Sequence, residues 1–277
     1  MKDSGTLYTQ YNNMNILQEI VTRTKERIEV QKKLLPPDKI IEMSRSVAIS
    51  GFSFEKALKS DDIAFICEIK KASPSKGIIA ADFPYLEIAA DYETAGAAAI
   101  SVLTEPYYFK GDDRYLREIA GKVSIPLLRK DFTIDSYMIY EAKLLGASAV
   151  LLICVLLNGD ILKEYIAIAD SLGLSALVET HNEGEVEMAL GAGARIIGVN
   201  NRDLKTFEID MTLSERLKKI VPNDKLFISE SGITSPEDIE RLRELGVNGV
   251  LVGETIMRSS DKKLEILRLR GDGNGKS

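Results

Sequence analysis

The chain has 277 residues, 45% of them hydrophobic and 28% charged, with a net charge of −6, two cysteines, one histidine and no tryptophan. This is the composition of a globular protein large enough for one big domain or two small ones. The acidic balance excludes general nucleic-acid binding, which needs a basic face, but permits a small anionic ligand at a local cluster of lysines.

The first stretch, MKDSGTLYTQYNNMN, is polar and lacks the apolar core of a signal peptide, so a cytoplasmic protein is expected. No run of about 18 apolar residues follows, which argues against a membrane span. Next, NILQEIVTRTKERIEVQKKL sets Ile16, Ile20, Ile28 and Leu34 among charges and predicts an amphipathic helix; PDKIIEMSRSV and SFEKAL predict two shorter ones. This extension, residues 1–60, reads as a plug for one end of a barrel, a dimer face or a cover over a substrate-bearing end.

From residue 63 the chain alternates short apolar runs with helical segments. The predicted strands are 63–70, 98–104, 125–131, 149–156, 175–181, 195–201, 225–231 and 249–254. Between them lie helix-like pieces such as YLEIAADYETAG and SPEDIERLRELG, several closing on glycine (Gly96, Gly146, Gly173, Gly246), the residue suited to the left-handed position after a helix. Nearly continuous apolar strands indicate a parallel sheet buried on both faces. Eight such units predict an α/β fold, a closed (β/α)8 TIM barrel with an N-terminal helical extension, as a single domain over 1–277 with its barrel core at 63–258. The main competitor is an open doubly wound sheet, which the lack of a GxGxxG fingerprint disfavours. The tail RLRGDGNGKS fails as a phosphate loop because Arg270 stands where glycine is required, so 270–277 is read as a disordered end.

Polar groups gather where the apolar runs stop. Residues two apart on a strand face the same way, so Glu68 and Lys70 share a face and Lys71 points away. Lys130 ends the third strand, Glu179 the fifth, Asn200 and Arg202 the sixth, Glu230 and Ser231 the seventh, and Gly253-Glu254 the eighth. Any one of these is explained as a solvated strand end. Jointly they converge on the C-terminal rim, where barrels of this kind carry their chemistry, and acids beside lysines there are the equipment of acid–base catalysis.

The glycines in SESGI and LVGET, after strands seven and eight, suit a phosphate held by backbone N–H groups. Phe109, Phe132 and Phe207 lie near the same rim and suit a planar ring. No metal site is expected, since CxxC is absent, His181 is the sole histidine and the rim glutamates have lysines as counter-ions. Cys67 and Cys154 read as small buried hydrophobes.

Together CEIKKASPSKG, LLRKDF, VETHNEGE, IGVNNRDL, SESGI and LVGETIMR resemble the indole-3-glycerol phosphate synthase family over essentially the whole chain, in its monofunctional form. The resemblance implies a (β/α)8 barrel that converts 1-(2-carboxyphenylamino)-1-deoxyribulose 5-phosphate to indole-3-glycerol phosphate, carbon dioxide and water, with no cofactor. It implies Lys130 and Lys70 as general acids, Glu179 as base and Glu68 as a further acid–base or hydrogen-bonding group. Glu230 and Asn200 orient the lysines and substrate hydroxyls, and the order in which the lysines act stays open. Burial and cationic neighbours are expected to draw the lysines down toward neutrality.

On the same basis Ser231, Gly232, Gly253 and Glu254 (through backbone N–H) form the phosphate end, and Phe109, Phe132 and Leu204 flank the ring. Ser73 and Arg202 touch one of the two anions, the carboxylate being assigned to Arg202. Glu254 departs from the serine often found there, and an unpaired carboxylate beside a phosphate repels it, so its side chain is expected to turn outward. The expected partner is a small anionic substrate, the expected state a monomer or weak homodimer. Rival readings are a Schiff-base aldolase or other sugar-phosphate barrel with Lys130 or Lys70 as nucleophile, and a catalytically inactive binding barrel.

Overall fold

A computed structural model of the chain describes residues 16–48, 51–204 and 206–271. Eight parallel strands close into a barrel in chain order. They are β1 (Ala64–Ile69), β2 (Ala99–Leu103), β3 (Leu127–Lys130), β4 (Ala149–Ile153), β5 (Ser175–Thr180), β6 (Ile196–Asn200), β7 (Leu226–Glu230) and β8 (Gly249–Val252). β8 pairs back onto β1 with Ala64 opposite Gly249, so no sheet edge is left and the open-sheet alternative is excluded.

The period-two alternation explains why these runs are apolar throughout. Ile66, Leu128, Leu151, Leu177, Ile228 and Leu251 fill the barrel interior. Phe65, Ile100, Val150, Val178, Phe227 and Val250 point outward and are covered by the helices. Each strand thus buries both faces.

All eight strands are shorter than expected by one residue or more, three of them for a local reason. β3 begins only after Pro126, which has no N–H for the ladder. β4 ends at Ile153, after which Cys154–Leu156 form a 3-10 turn. β8 ends at Val252, because Glu254–Arg258 already winds into a helix. Gly96, Gly146, Gly173 and Gly246 do adopt positive φ, between +69° and +88°. Cys67 and Cys154 are free and buried.

The extension serves both ends of the barrel. α1 (Ile16–Leu34) crosses the C-terminal rim, where Arg27 donates to both Asp131 carboxylate oxygens (3.0 and 2.9 Å) and to the Thr104 carbonyl (3.2 Å). α2 (Pro37–Ser46) runs down the side, burying Ile40 with Tyr137 and Met138. α3 (Ser53–Ala57) closes the opposite end, with Phe54 and the following Leu58 fully buried beneath Ala64, Ile196 and Leu226.

At the far terminus the helix Lys262–Arg270 takes in Arg270, which the sequence alone puts in the tail; residues 272–277 lie outside the described residues. Among the described residues no helix is long and apolar enough to cross a membrane.

Candidate active site

The alternation that fills the barrel carries on one layer higher and there changes character. Counting by twos from Ile66, Leu128, Leu177, Ile196 and Ile228 reaches Glu68, Lys130, Glu179, Asn200 and Glu230. These polar side chains therefore cap the apolar layer and face a cavity of about 420 Å³ at the C-terminal rim. Every residue expected at the site lines it: Glu68, Lys70, Ser73, Phe109, Lys130, Phe132, Glu179, Asn200, Arg202, Leu204, Glu230, Ser231, Gly232, Gly253 and Glu254.

At its centre Lys130 Nζ stands 3.0 Å from Glu179 Oε2 and 3.4 Å from Glu230 Oε2. Lys70 Nζ is 2.6 Å from Glu68 Oε1, while Lys71 turns away and lies over the Phe83 ring. Asn200 Oδ1 accepts from the Ser231 hydroxyl (2.9 Å) and the Arg202 N–H (3.1 Å). Its amide is thereby left to donate to Glu179.

The charges sort themselves by neighbour. Burial pulls the Lys130 ammonium down, but Glu179, Glu230 and Glu68 outweigh it and hold the group above the ordinary lysine value. The expected lowering is therefore wrong for Lys130, since its neighbours are anions rather than cations. Burial raises the Glu179 carboxyl, yet Lys130 and His181 win and it lies below the usual carboxylate range. Glu230 goes the other way: burial, with Glu179 and Glu68 beside it, pushes it to about 7 against the pull of Lys130. Its Oε1 is buried and has no hydrogen-bond partner. One ionised carboxylate and one that readily holds a proton thus face the same ammonium, a division that separates base from acid.

Several positioning residues escape a reading of the sequence. A Cβ on Gly198 would lie 2.3 Å from Glu230 Oε1, and one on Gly253 would lie 2.5 Å from Glu68 Oε1. A glycine inside a strand of β-branched residues is the available signal for such an approach. Buried Asn201 donates to the Ser229 hydroxyl (3.0 Å) and the Ser231 carbonyl (3.1 Å), tying β6 to β7 behind the site. Asp131, next to Lys130, accepts from Thr104 (2.6 Å) and from the Phe132 N–H (2.8 Å). Both lie inside quoted motifs, LLRKDF and IGVNNRDL, but their partners are set by the fold.

Around the rim, Ala72–Ser73 and Gly77–Ile78 form a small hairpin whose tip, Pro74 to Lys76, lines the cavity. Phe109 and Phe132 are 5.9 Å apart between ring centroids, and Leu204 and Phe207 line the same space. Ser231 and Gly232 both take positive φ (68° and 88°), a tight turn that only glycine enters freely. Glu254 is not turned away unpaired as expected. Its carboxylate meets Arg258 at 3.1 Å, Arg202 at 3.7 Å and Lys76 at 3.8 Å, and three cations satisfy it at the cavity wall. Arg202 also donates to the Phe207 carbonyl (3.1 Å).

Solved structures with this fold include a mutant tryptophan synthase alpha-subunit from Pyrococcus furiosus (TM-score 0.58, 16% identity, 76% of this chain and 98% of that one). Another is 3-hexulose-6-phosphate synthase from Salmonella typhimurium (TM-score 0.63, 14% identity, 76% and 98%). At such identities the likeness concerns the barrel alone. Sequence relatives are much nearer. An indole-3-glycerol phosphate synthase of Ruminiclostridium cellulolyticum is 59% identical over 92% of this chain and 99% of its own length. That of Lachnoclostridium phytofermentans is 52% identical over 92% and 98%. The family model described as indole-3-glycerol phosphate synthase matches residues 17–269, and the chain belongs to that family.

Proposed function

We propose that this barrel closes the indole ring of 1-(2-carboxyphenylamino)-1-deoxyribulose 5-phosphate. The ring carbon bearing the carboxylate attacks the ketone, whose oxygen takes a proton from one of the two ammonium groups, Lys130 or Lys70. Carbon dioxide then leaves and the benzene ring recovers its aromaticity. In the last step the new hydroxyl departs as water with a proton from an acid, and Glu179 takes the proton lost from the adjacent methylene. No cofactor enters these steps.

The observation that carries this reading is Lys130, held as an ammonium 3.0 Å from Glu179 at the floor of the cavity. A proton donor and a base are in place side by side. Glu68, ion-paired to Lys70, is assigned to holding that second acid. Asn200 and Glu230 orient Glu179 and Lys130, and Glu230 also stores a proton.

The substrate carries two anions. We assign the phosphate to the backbone N–H groups of Ser231, Gly232, Gly253 and Glu254. Ser73 and Arg202 are each assigned to one of the anions, and the 3.7 Å between Arg202 and Glu254 supports the phosphate for Arg202 in place of the carboxylate that the resemblance implied. The carboxyphenyl ring is assigned to the slot of Phe109, Phe132 and Leu204. A Schiff-base mechanism suits the site less well, because an amine must lose its proton before it attacks a carbonyl and Glu179 and Glu230 oppose that loss at Lys130.

The test is to supply the carboxyphenylamino-deoxyribulose phosphate, follow indole fluorescence, and treat a parallel sample with borohydride. Indole formation without a trapped lysine adduct is expected. A reduced adduct at Lys130 or Lys70 would move the assignment to a Schiff-base enzyme.

A further inference from the structure

The chain contains a single histidine, and it sits next to the site. His181 follows β5 two positions after Glu179, and its ring bridges two carboxylates. Nε2 is 3.4 Å from Glu179 Oε1, and Nδ1 is 3.2 Å from Glu185 Oε2. Glu185 does not wander. Its Oε2 also accepts the His181 backbone N–H (2.8 Å) and its Oε1 the Asn182 amide (2.9 Å), at the start of the helix Glu183–Gly191.

The ring nitrogen facing Glu179 is buried and makes no regular hydrogen bond. A neutral imidazole that donates from Nδ1 to Glu185 turns the Nε2 lone pair toward an ionised oxygen, which is repulsive and leaves a buried polar atom unmatched. A second proton removes both faults. We propose that His181 is a positioning residue for Glu179, an imidazolium wedged between Glu179 and Glu185 that keeps the catalytic carboxylate ionised and its Oε2 aimed at Lys130. This role rests on the functional reading above.

Each group that faces the ring supports the charge. Burial opposes it, but the bond to Glu185 and the negative charges of Glu179 on β5, Glu185 on the helix after it and Glu230 on β7 prevail and raise the group above the ordinary histidine value. The nearby Cys154 thiol is pushed up to about 12 by burial and stays neutral. Lys130 lies beyond Glu179, which stands between two cations. In return His181 is one of the groups that lower Glu179.

A sole histidine gives a sole imidazole resonance, so its titration can be followed by NMR with no turnover required. The expected result is a midpoint above the ordinary value of about 6.5, falling when Glu179→Gln removes one partner. In activity, His181→Gln and His181→Ala raise the acid limb of the kcat profile by about one pH unit, a loss that approaches tenfold only on the limb itself and vanishes at pH 8, with KM little moved.

A midpoint at or below 6.5 overturns the proposal, as does a titration indifferent to Glu179→Gln or a His181→Gln profile superimposable on that of the unaltered chain. If His181→Ala does not fold, His181→Gln and the titration decide alone. Absence of turnover in the unaltered chain sinks the functional reading instead, and the titration still decides the pairing.

Discussion

Gly198 on β6 hollows the barrel wall for Glu230 on β7: a Cβ there would stand 2.3 Å from the carboxylate Oε1 and 3.1 Å from Leu177 Cδ1. The carboxylate end is flexible and moves before the backbone does. Gly198→Ala is therefore expected to lower kcat by about ten- to a hundredfold, roughly 1.4–2.7 kcal/mol of barrier, and stability by about 1–3 kcal/mol. In a Glu230→Ala background the same change should cost little more. Equal losses in both backgrounds would show that Gly198 serves the barrel and not Glu230.

Glu230 makes stability depend on pH, and the sign follows from its direction. Its carboxyl sits at about 7 in the fold, above the ordinary 4.5. Its contribution is fully present below the ordinary value and is lost as pH rises through 7. Glu230→Gln should flatten the decline in thermal midpoint between pH 5 and 8 and raise the midpoint at pH 8 by about 4 °C. An unchanged slope would place the decline elsewhere.

Lys130→Met is expected to reduce turnover by at least about a thousandfold, within the range of a lost acid–base group. It also leaves Glu179 and Glu230 facing each other without their cation. Stability should fall by about 3–5 kcal/mol at pH 8 and by less at pH 5, where Glu230 takes up a proton. Calorimetry at the two pH values distinguishes this from a loss that is the same at both.

Glu254 pairs with three cations, and a phosphate bound as proposed competes with it for them. Glu254→Gln frees Lys76 and Arg202 and removes a negative charge from the anion end. KM should fall several-fold at low salt, with the gain shrinking as ionic strength rises. A KM that rises would mean that the carboxylate organises the site rather than competing for it.

Much of this was legible in the sequence because a strand is a simple ruler. Once β1, β3, β5, β6 and β7 are located, stepping by twos from an apolar interior lands on Glu68, Lys130, Glu179, Asn200 and Glu230 without further information. Relations between strands were not legible. The direction of Lys130 depends on Glu179, Glu230 and Glu68, which come from three other strands and meet it only on closure of the barrel. Of the partners of Glu254, Arg258 stands one helical turn on and was overlooked, while Lys76 and Arg202 are distant in the chain. Gly198 owes its role to Glu230 on the neighbouring strand, and the sequence alone uses His181 only as the sole histidine that argues against a metal site.

The extension shows the same limit. Its helices follow from their apolar spacing, but that α1 overhangs the rim while α3 plugs the opposite end depends on partners such as Asp131 and Ile196 far along the chain.

On the proposed mechanism this site joins ring closure and loss of carbon dioxide to the final dehydration through Lys130 and Glu179. It is tested most directly by measuring indole fluorescence and carbon dioxide together, in the unaltered chain and in folded Lys130→Met and Glu179→Gln. Equimolar release is expected from the unaltered chain and no indole from either variant, with Glu179→Gln, blocked only at the last step, still releasing carbon dioxide. Equimolar products from either variant at an undiminished rate, or no indole from the well-folded unaltered chain, would contradict it.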